Sequence, residues 1–331
     1  MITIAIDAMG GDNAPKAIVE GVNLAIKAYE DIKINLYGDS EEIQKHLLED
    51  ERVQVIHTTE LITGEDEPVR SIRRKKDASM VVAARDVKEG KADVLLSAGN
   101  TGALLTAGLL IVGRIKNIDR PGLMPIIPTV SKESPQVILM DAGANAEVKP
   151  VNLEQFAVLA NFYSQKVFGI NQPRIGLLNN GTEQGKGSTL TKEAYELINN
   201  IESLNFIGNV EAKTLLSGDV DIVITDGFTG NAVLKTLEGS AKSLIGLLVN
   251  SLKTSGIKTK IGAGLIKDTL KSTFAEMDDT KQGGAVLLGV KAPVIKAHGS
   301  SNEEAIFNAI RQARTVVATD VVTEAIKYFE N

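Results

Sequence analysis

The sequence predicts an α/β fold of three layers, α/β/α, built on a mostly parallel sheet. Apolar runs of strand length alternate with longer segments that carry apolar residues at helical spacing. The predicted strands are almost wholly apolar, which is typical of strands covered by helices on both faces. Glycines and polar residues gather after the strands, where a parallel sheet binds ligands. No repeat or linker interrupts the pattern, so we expect one domain over residues 1–331.

Strands are predicted at eight apolar runs, residues 2–8, 32–37, 53–56, 92–97, 137–140, 174–178, 220–224 and 293–297. Residues 121–129 are punctuated by proline and are predicted as an edge strand or a loop, because proline cannot donate a hydrogen bond to a sheet. Residues 206–208 are short and ambiguous.

Helices are predicted at residues 15–29, 79–88, 103–112, 153–168 and 303–329, with two more after Ser188 and after residue 226. Pro15 suits a first helical turn, where its missing N–H costs little. Ser188 suits the cap of the next helix. Residues 103–112 are apolar nearly all round, so we expect that helix to be buried.

The composition excludes several classes of function. The chain has no cysteine, which removes disulfides, thiolate catalysis and cysteine-bound metal sites and suits a reducing cytoplasm. A net charge of −6 and an aromatic content of 4% disfavour nucleic-acid binding. Residues 1–7 lack the basic start of a signal peptide. The best apolar run, 103–112, is too short to span a bilayer, so a cytoplasmic protein is expected.

Residues 223–235 organise the predicted site as a buried strand, a glycine-rich turn and a helix. Gly227 and Gly230 allow a close approach of the backbone to a ligand. The free N–H groups of a first helical turn favour an anion, and Asp226, Asn231 and Lys235 supply polar groups. The alternative is that Asp226 only caps the helix.

The other strand ends contribute Asn100, Thr101, Lys186, His298 and Ser300. Together with the turn after residue 224, they predict a site for inorganic or terminal phosphate. Each has a structural alternative: the first two are also suitable helix caps, Lys186 suits a solvated helix, and His298 suits a hydrogen-bonded structural role.

Several common enzyme sites are absent from the sequence. The first strand–helix turn has acids where a dinucleotide pyrophosphate would sit, and Gly187 replaces the hydroxyl residue of a P-loop. There is no nucleophile elbow, and the three histidines are scattered. We therefore expect no cofactor and no metal. Attack of phosphate on a thioester requires mainly positioning and oxyanion stabilisation, which such a rim can supply.

Five motifs strongly resemble the bacterial phosphate acyltransferases of phospholipid synthesis: DAMGGDNAP at 7–15, SAGNTGAL at 97–104, LNNGTE at 178–183, TDGFTGN at 225–231 and HGSS at 298–301. The resemblance runs in order over nearly the whole chain. It implies transfer of acyl groups from acyl-carrier protein to inorganic phosphate, with acyl phosphate passing on to glycerol-3-phosphate acylation. It also implies a fold similar to the isopropylmalate dehydrogenase and phosphotransacetylase group, a homodimer, and loose association with the membrane.

One basic block stands out in this acidic chain and consists of Arg70, Arg73, Arg74, Lys75 and Lys76. Because acyl-carrier protein is acidic, the block is a candidate docking patch that would act on the encounter rate. The alternatives are a solvated helix face, or one arginine that pairs with Glu65 or Glu67.

Residues 252–274 are predicted to form a projecting amphipathic helical segment that mixes lysine with apolar residues. Ile257, Ile261 and Leu265 share one helical face, which is a candidate membrane contact. The alternative buries both faces of the segment in a dimer.

Two rival functions remain open from the sequence. One is a phosphotransacetylase-like enzyme that uses coenzyme A thioesters. The other is a non-catalytic scaffold that responds to phosphate or lipid and recruits a partner acyltransferase.

Overall fold

The computed structural model describes residues 1–270 and 279–330, and it contains two β-sheets. In chain order the strands are β1 (Ile2–Asp7), β2 (Ile32–Gly38), β3 (Val53–His57), β4 (Val94–Ser97), β5 (Gly122–Met124), β6 (Ile126–Pro128), β7 (Gln136–Met140), β8 (Ile175–Asn179), β9 (Phe206–Glu211), β10 (Ile222–Ile224), β11 (Ala285–Leu288) and β12 (Val294–Lys296).

The sheets are mostly parallel, as predicted. The larger sheet has the order β3-β2-β1-β4-β12-β11-β5, and its first five strands are parallel. Strand β11 runs antiparallel to both of its neighbours. The smaller sheet has the order β6-β7-β10-β8-β9, with only β6 antiparallel.

The division into two sheets was not predicted, and it occurs at the proline-punctuated stretch. Strand β5 pairs with β11 in the larger sheet, whereas β6 pairs with β7 in the smaller one. Pro125 separates the two short strands. Since proline has no N–H to donate, it cannot continue a ladder there, and the chain passes from one sheet to the other.

The helices in chain order are α1 (Lys16–Ala28), α2 (Ser40–Gln44), α3 (Pro68–Arg74), α4 (Ser79–Lys88), α5 (Thr101–Ala107), α6 (Pro150–Tyr163), α7 (Thr189–Asn199), α8 (Gly227–Thr254), α9 (Ile257–Leu265), α10 (Glu303–Ala318) and α11 (Val321–Glu330). Single π-helical stretches extend α5 over Gly108–Gly113 and α6 over Ser164–Phe168. Ser188 caps α7 as predicted, since its Oγ accepts the N–H of Thr191. The predicted helix 303–329 is in fact two helices, because Asp320 has a φ of 55° and ends the helical path.

Helices cover both faces of the larger sheet, which confirms the three layers. On one face Ile4 and Ile6 of β1 pack in the cluster that includes α1 and α10. On the other face Ala5 packs in the cluster formed by α4 and α5. Alternate residues of one strand therefore reach two different layers, and both layers are apolar because neither meets water.

The prediction of a buried helix at residues 103–112 was only partly right. Ala103, Leu104 and Ala107 are buried, but Leu109 is 39% exposed and Leu110 is 49% exposed. Gly108 lies against Leu287, so one face of the π-helical stretch packs on the sheet. The exposure of Leu109 and Leu110 is where the prediction was wrong.

Helix α8 extends away from the body of the protein. Its 28 residues span about 42 Å, and only Gly227 and Gly230 are buried. Leu244 and Leu247 are 67% and 64% exposed. Among the described residues, no helix is both long and apolar enough to cross a bilayer.

The predicted segment 252–274 is only partly described. Helix α9 follows α8 after a short break, and Ile261 and Leu265 are exposed on it by 62% and 82%. Residues 271–274 and the side chain of Ile257 lie outside the described part of the chain.

Candidate active site

A cavity of about 410 Å³ lies where the two sheets meet. The parallel register of β1, β4 and β12 aligns Asp7, Ser97 and Lys296 at the carboxyl end of the larger sheet. Strands β5 and β6 supply another wall, and the first turns of α8 supply a third. The cavity therefore occupies the rim at which the sequence predicted a site.

The cavity brings together only some of the predicted residues. Thr101, Asn231, Lys235 and His298 line it. The predicted residues that do not line it are Asn100, Lys186, Asp226, Gly227, Gly230 and Ser300. The first group can touch a ligand in this cavity as it stands, whereas the second group lies outside the lining.

Asp226 is the cap of α8. Its Oδ1 accepts the N–H of Thr229 at 2.8 Å, and its Oδ2 accepts the Thr229 hydroxyl at 2.7 Å. The N–H of Gly227 donates to Asn145 O at 2.9 Å, and that of Gly230 donates to Asp226 O. Three amides of the turn thus have acceptors within the protein, which reduces the number available to an anion.

Gly227 and Gly230 allow α8 to lie directly on the loop that follows β7. A Cβ at Gly227 would stand 2.5 Å from Asn145 O, and one at Gly230 would stand 1.9 Å from Asp141 O. No larger residue fits at either position without movement of the backbone. The glycines therefore set the distance between the helix and the loop, and with it the position of Asn231 at the cavity.

Asp141 holds the other side of this contact. It is fully buried, and its carboxylate accepts the N–H groups of Leu123, Ala144 and Asn145 at 2.8–3.0 Å, together with the Asn145 side-chain amide at 2.8 Å. Burial raises the pKa of Asp141, while these hydrogen bonds lower it. All the contacts are internal, so the residue is structural in this arrangement.

Asn100 joins a surface loop to the start of α5. Its Oδ1 accepts the N–H of Ala103 at 3.0 Å, and its Nδ2 donates to the carbonyls of Thr63, Gly64 and Asp66. Both polar atoms of the side chain are therefore hydrogen-bonded within the protein. Thr101, the next residue, begins α5 and faces the cavity.

The two predicted phosphate-binding lysines are placed differently. Lys235 lines the cavity, but its Nζ pairs with Glu238 at 2.6 Å. Lys186 lies in the loop after β8, where its N–H donates to Glu183 O, and it stands apart from the cavity lining.

His298 lines the cavity and contacts Ser300. Its Nδ1 accepts the N–H of Ser300 at 3.3 Å and lies 2.9 Å from the Ser300 hydroxyl. A neutral ring with an acceptor at Nδ1 carries its proton on Nε2. His298 is therefore set up to donate from Nε2, and Ser300 acts by orienting the ring.

Sequence reasoning missed Lys296, which lines the polar end of the cavity. Its Nζ donates to Ala98 O at 3.2 Å and to Ala297 O. Burial lowers the pKa of Lys296 to about 8, an effect partly opposed by the charges of Asp7 and Asp12. A lysine inside the apolar predicted strand 293–297 was the available signal, because a charge in a buried strand needs a reason.

The rest of the cavity lining is largely apolar and includes Leu123, Ile126, Ile127, Leu216, Leu234 and Leu237. The last four of these belong to one apolar cluster, and we call this part of the lining the apolar end. One cavity thus offers a hydrocarbon-binding wall and, beside it, a cluster of donors and cations. This arrangement suits a molecule with an apolar chain and an acyl head, placed next to a small anion.

The comparisons with known proteins agree with this chemistry. Residues 2–324 match the family model described as fatty acid synthesis protein. The chain is 55% identical over 329 residues to a phosphate acyltransferase of Streptococcus suis, covering 99% of this chain and 98% of the relative. It is 56% identical over 329 residues to a phosphate acyltransferase of Streptococcus pneumoniae, covering 99% of each.

Two solved structures share the fold. A branched-chain phosphotransacylase from Enterococcus faecalis superposes with a TM-score of 0.62 at 20% identity, over 96% of this chain and 100% of that one. A phosphotransacetylase from Streptococcus pyogenes gives 0.60 at 15% identity, over 97% and 94%. At these identities the likeness establishes the architecture alone.

Proposed function

This chain belongs to the fatty acid synthesis protein family and is an acyltransferase, and on that premise we propose that it transfers a long-chain acyl group from acyl-carrier protein to inorganic phosphate. The products are acyl phosphate and free carrier. The acyl phosphate would then supply a glycerol-3-phosphate acyltransferase in phospholipid synthesis.

The observation that carries the proposal is the division of the cavity into two ends. Leu234 and Leu237 of α8 pack against the cluster that contains Ile127, and this apolar end can take up the first part of an acyl chain. The polar residues lie at the other end, so the thioester carbonyl would sit between the two. A chain longer than the cavity would continue along α8, where apolar side chains remain exposed.

The proposed reaction forms one bond and breaks one. A phosphate oxygen attacks the thioester carbonyl carbon, and a tetrahedral oxyanion forms. Collapse expels the thiolate, which takes the proton that phosphate brought. Donors aimed at the oxyanion lower this barrier most, and the Nε2–H of His298 and the Asn231 amide are the candidates on the cavity wall.

Asp226, Gly227 and Gly230 contribute to the proposed mechanism through the position of α8. Their contacts with residues 141–145 and with Thr229 place Asn231 and Lys235 on the cavity. Asn100 similarly places Thr101, and Ser300 orients His298. A direct phosphate contact by any of these residues, or by Lys186, stays a prediction.

The basic block supports a protein carrier as donor. Arg70, Arg73, Arg74 and Lys76 are exposed, whereas Lys75 is tied to Asp66 at 2.7 Å. The block lies on and just after α3, which packs on α5 where Pro68 meets Gly102. Thr101 beside that contact lines the cavity, so a carrier docked on α3 would stand close to the site.

Charge reversal tests the carrier. Arg73→Glu with Arg74→Glu should raise the KM for acyl-acyl-carrier protein at low salt and leave the KM for phosphate unchanged, because exposed charges act on encounter. Lys16→Glu with Lys27→Glu on α1 is the matched control. An unchanged KM for the carrier in the α3 variant would remove the docking role.

The exposed strip on α8 and α9 supports a homodimer and a peripheral membrane contact. Leu244 and Leu247 lie toward the far end of α8, and Ile261 and Leu265 lie on α9. We assign the α8 strip to a second copy of the chain and the α9 residues to lipid. Ile261→Asp should abolish flotation with anionic vesicles, whereas Thr259→Asp should not; equal flotation of both would remove the lipid contact.

The decisive experiment is the trapping of product with hydroxylamine. Purified protein, acyl-acyl-carrier protein and phosphate should yield a hydroxamate that depends on phosphate. Product from acyl-coenzyme A alone would establish the phosphotransacetylase-like alternative. Absence of product from both donors would leave the scaffold function.

A further inference from the structure

Lys296 holds an ammonium at the polar end of the cavity without a carboxylate beside it. It ends β12 at the same level as Ser97 of β4. Two N–H groups of its Nζ donate to the carbonyls of Ala98 and Ala297. An ammonium has three donors, so one remains for the cavity that Lys296 lines.

The buried acid Asp7 attracts the ammonium but forms no ion pair with it. Asp7 accepts the hydroxyls of Ser79 at 2.6 Å and Ser97 at 2.7 Å, and the N–H of Met9 at 3.2 Å. Across residues 1–270 and 279–330, no carboxylate oxygen comes within 4.0 Å of the Lys296 Nζ. A partly buried cation without such a partner is costly to retain, which indicates that the partner is a ligand.

We propose that Lys296 is the cation that binds the phosphate substrate, an assignment that rests on the function proposed above. A phosphate oxygen accepts the third N–H of the ammonium, and the two main-chain carbonyls fix its direction. This places the phosphate beside His298 and Asn231, where the thioester carbonyl is expected. Lys235 is less suited because Glu238 already neutralises it, and Lys186 stands outside the cavity lining.

The charged groups around Lys296 come from three other segments. Asp7 ends β1, Asp12 lies in the following loop, and Lys235 approaches from α8. His298 follows two residues later on the same segment. The acids stabilise the ammonium and Lys235 opposes it, while burial is the largest effect and lowers the pKa to about 8. Anion binding should therefore weaken as the pH rises through about 8.

Steady-state kinetics test the assignment. Lys296→Met should raise the KM for phosphate by at least about tenfold, since a hydrogen bond to a charged group is lost, while the KM for the acyl thioester stays within about twofold. Lys296→Arg, which keeps the charge, should recover part of the phosphate affinity. Lys291→Met, at an exposed lysine between β11 and β12, is the control. A KM for phosphate unchanged in Lys296→Met would overturn the assignment.

A measurement without turnover separates this assignment from the proposed function. Sulfate keeps a constant double charge between about pH 6 and 9, so only the protein titrates. Beyond the general stabilisation that comes from its exclusion from protein surfaces, sulfate should raise the melting temperature of the wild-type protein by binding, less so above about pH 8, and this additional rise should be absent in Lys296→Met. Equal shifts in both proteins would overturn the anion site. A sulfate shift lost in Lys296→Met, in a protein that makes no acyl phosphate, would uphold the site and refute the acyl transfer.

Discussion

The contact between Gly230 and Asp141 makes a stringent test of how α8 positions the site. In Gly230→Ala, the new Cβ would stand 1.9 Å from Asp141 O and 2.9 Å from Thr225 Cγ2. An ordinary carbon–oxygen contact is about 3.3 Å. The helix or the loop must therefore move by more than about 1 Å, and neither is a flexible side chain.

Two effects of known size follow. Overpacking of this kind costs about 1–3 kcal/mol of unfolding free energy. Displacement of a catalytic group by about 1 Å costs about a hundredfold in rate, and Asn231 is the next residue along the helix. We expect Gly230→Ala to lower both the urea midpoint and the rate of hydroxamate formation.

Gly239→Ala is the matched control, since it makes the same change in the same helix with nothing within 4 Å. There the alanine should stabilise the protein by about 0.4–1 kcal/mol, because it reduces the freedom of the unfolded chain. The rate of hydroxamate formation should not change. If Gly230→Ala kept the wild-type midpoint and rate, the reasoning that α8 is held by this contact would be refuted.

Three further predictions concern the cavity and its cap. Asp226→Ala should cost about 0.5–2 kcal/mol through loss of the cap, measured by urea unfolding; Asp226→Asn should keep most of that stability, so a large loss of rate in Asp226→Asn would instead reveal a direct chemical role. Leu237→Trp should fill part of the apolar end and shift the preferred acyl chain to shorter lengths in competition between thioesters, whereas an unchanged preference would place the chain elsewhere. Burial lowers the pKa of Lys296 from 10.5 to about 8, so between about pH 8 and 10.5 the unfolded chain binds a proton that the folded chain does not. The free energy of unfolding should therefore rise across that window by up to about 3 kcal/mol. Lys296→Met should remove that part of the rise.

Local signals in the sequence predicted the elements well where one residue decides the outcome. Ser188 caps α7, and helix α4 has the predicted bounds of 79–88. The break at Asp320 was not predicted, because aspartate in a left-handed conformation leaves no distinct pattern in a helical run. The split between β5 and β6 was not predicted because β5 pairs with β11, which lies far along the chain, and a local pattern does not reveal that pairing.

The candidate site was predicted as a rim and not residue by residue. A cap and an anion site require the same residue types, so the turn at Asp226 supported both interpretations until the acceptors of its amides were seen. Lys296 was missed because its importance depends on the hydrogen bonds that Ser79 and Ser97 donate to Asp7. Asp7, Ser97 and Lys296 lie far apart along the chain and meet across β1, β4 and β12, and Ser79 reaches Asp7 from the start of α4.

Helix α8 connects the cavity to the far end of the molecule, because residues near its start line the cavity. Its anchorage lies in its first three turns, where Gly227 and Gly230 are buried and Val233, Leu234 and Leu237 pack against an apolar cluster, whereas the residues beyond them extend for about 25 Å. A tilt of about 5° at that anchorage would carry the distal end by about 2 Å. Asn231 and Lys235 belong to the anchored part of the helix and would turn with it. A surface that binds the exposed part of the helix would also restrict the orientation of the residues that face the substrate.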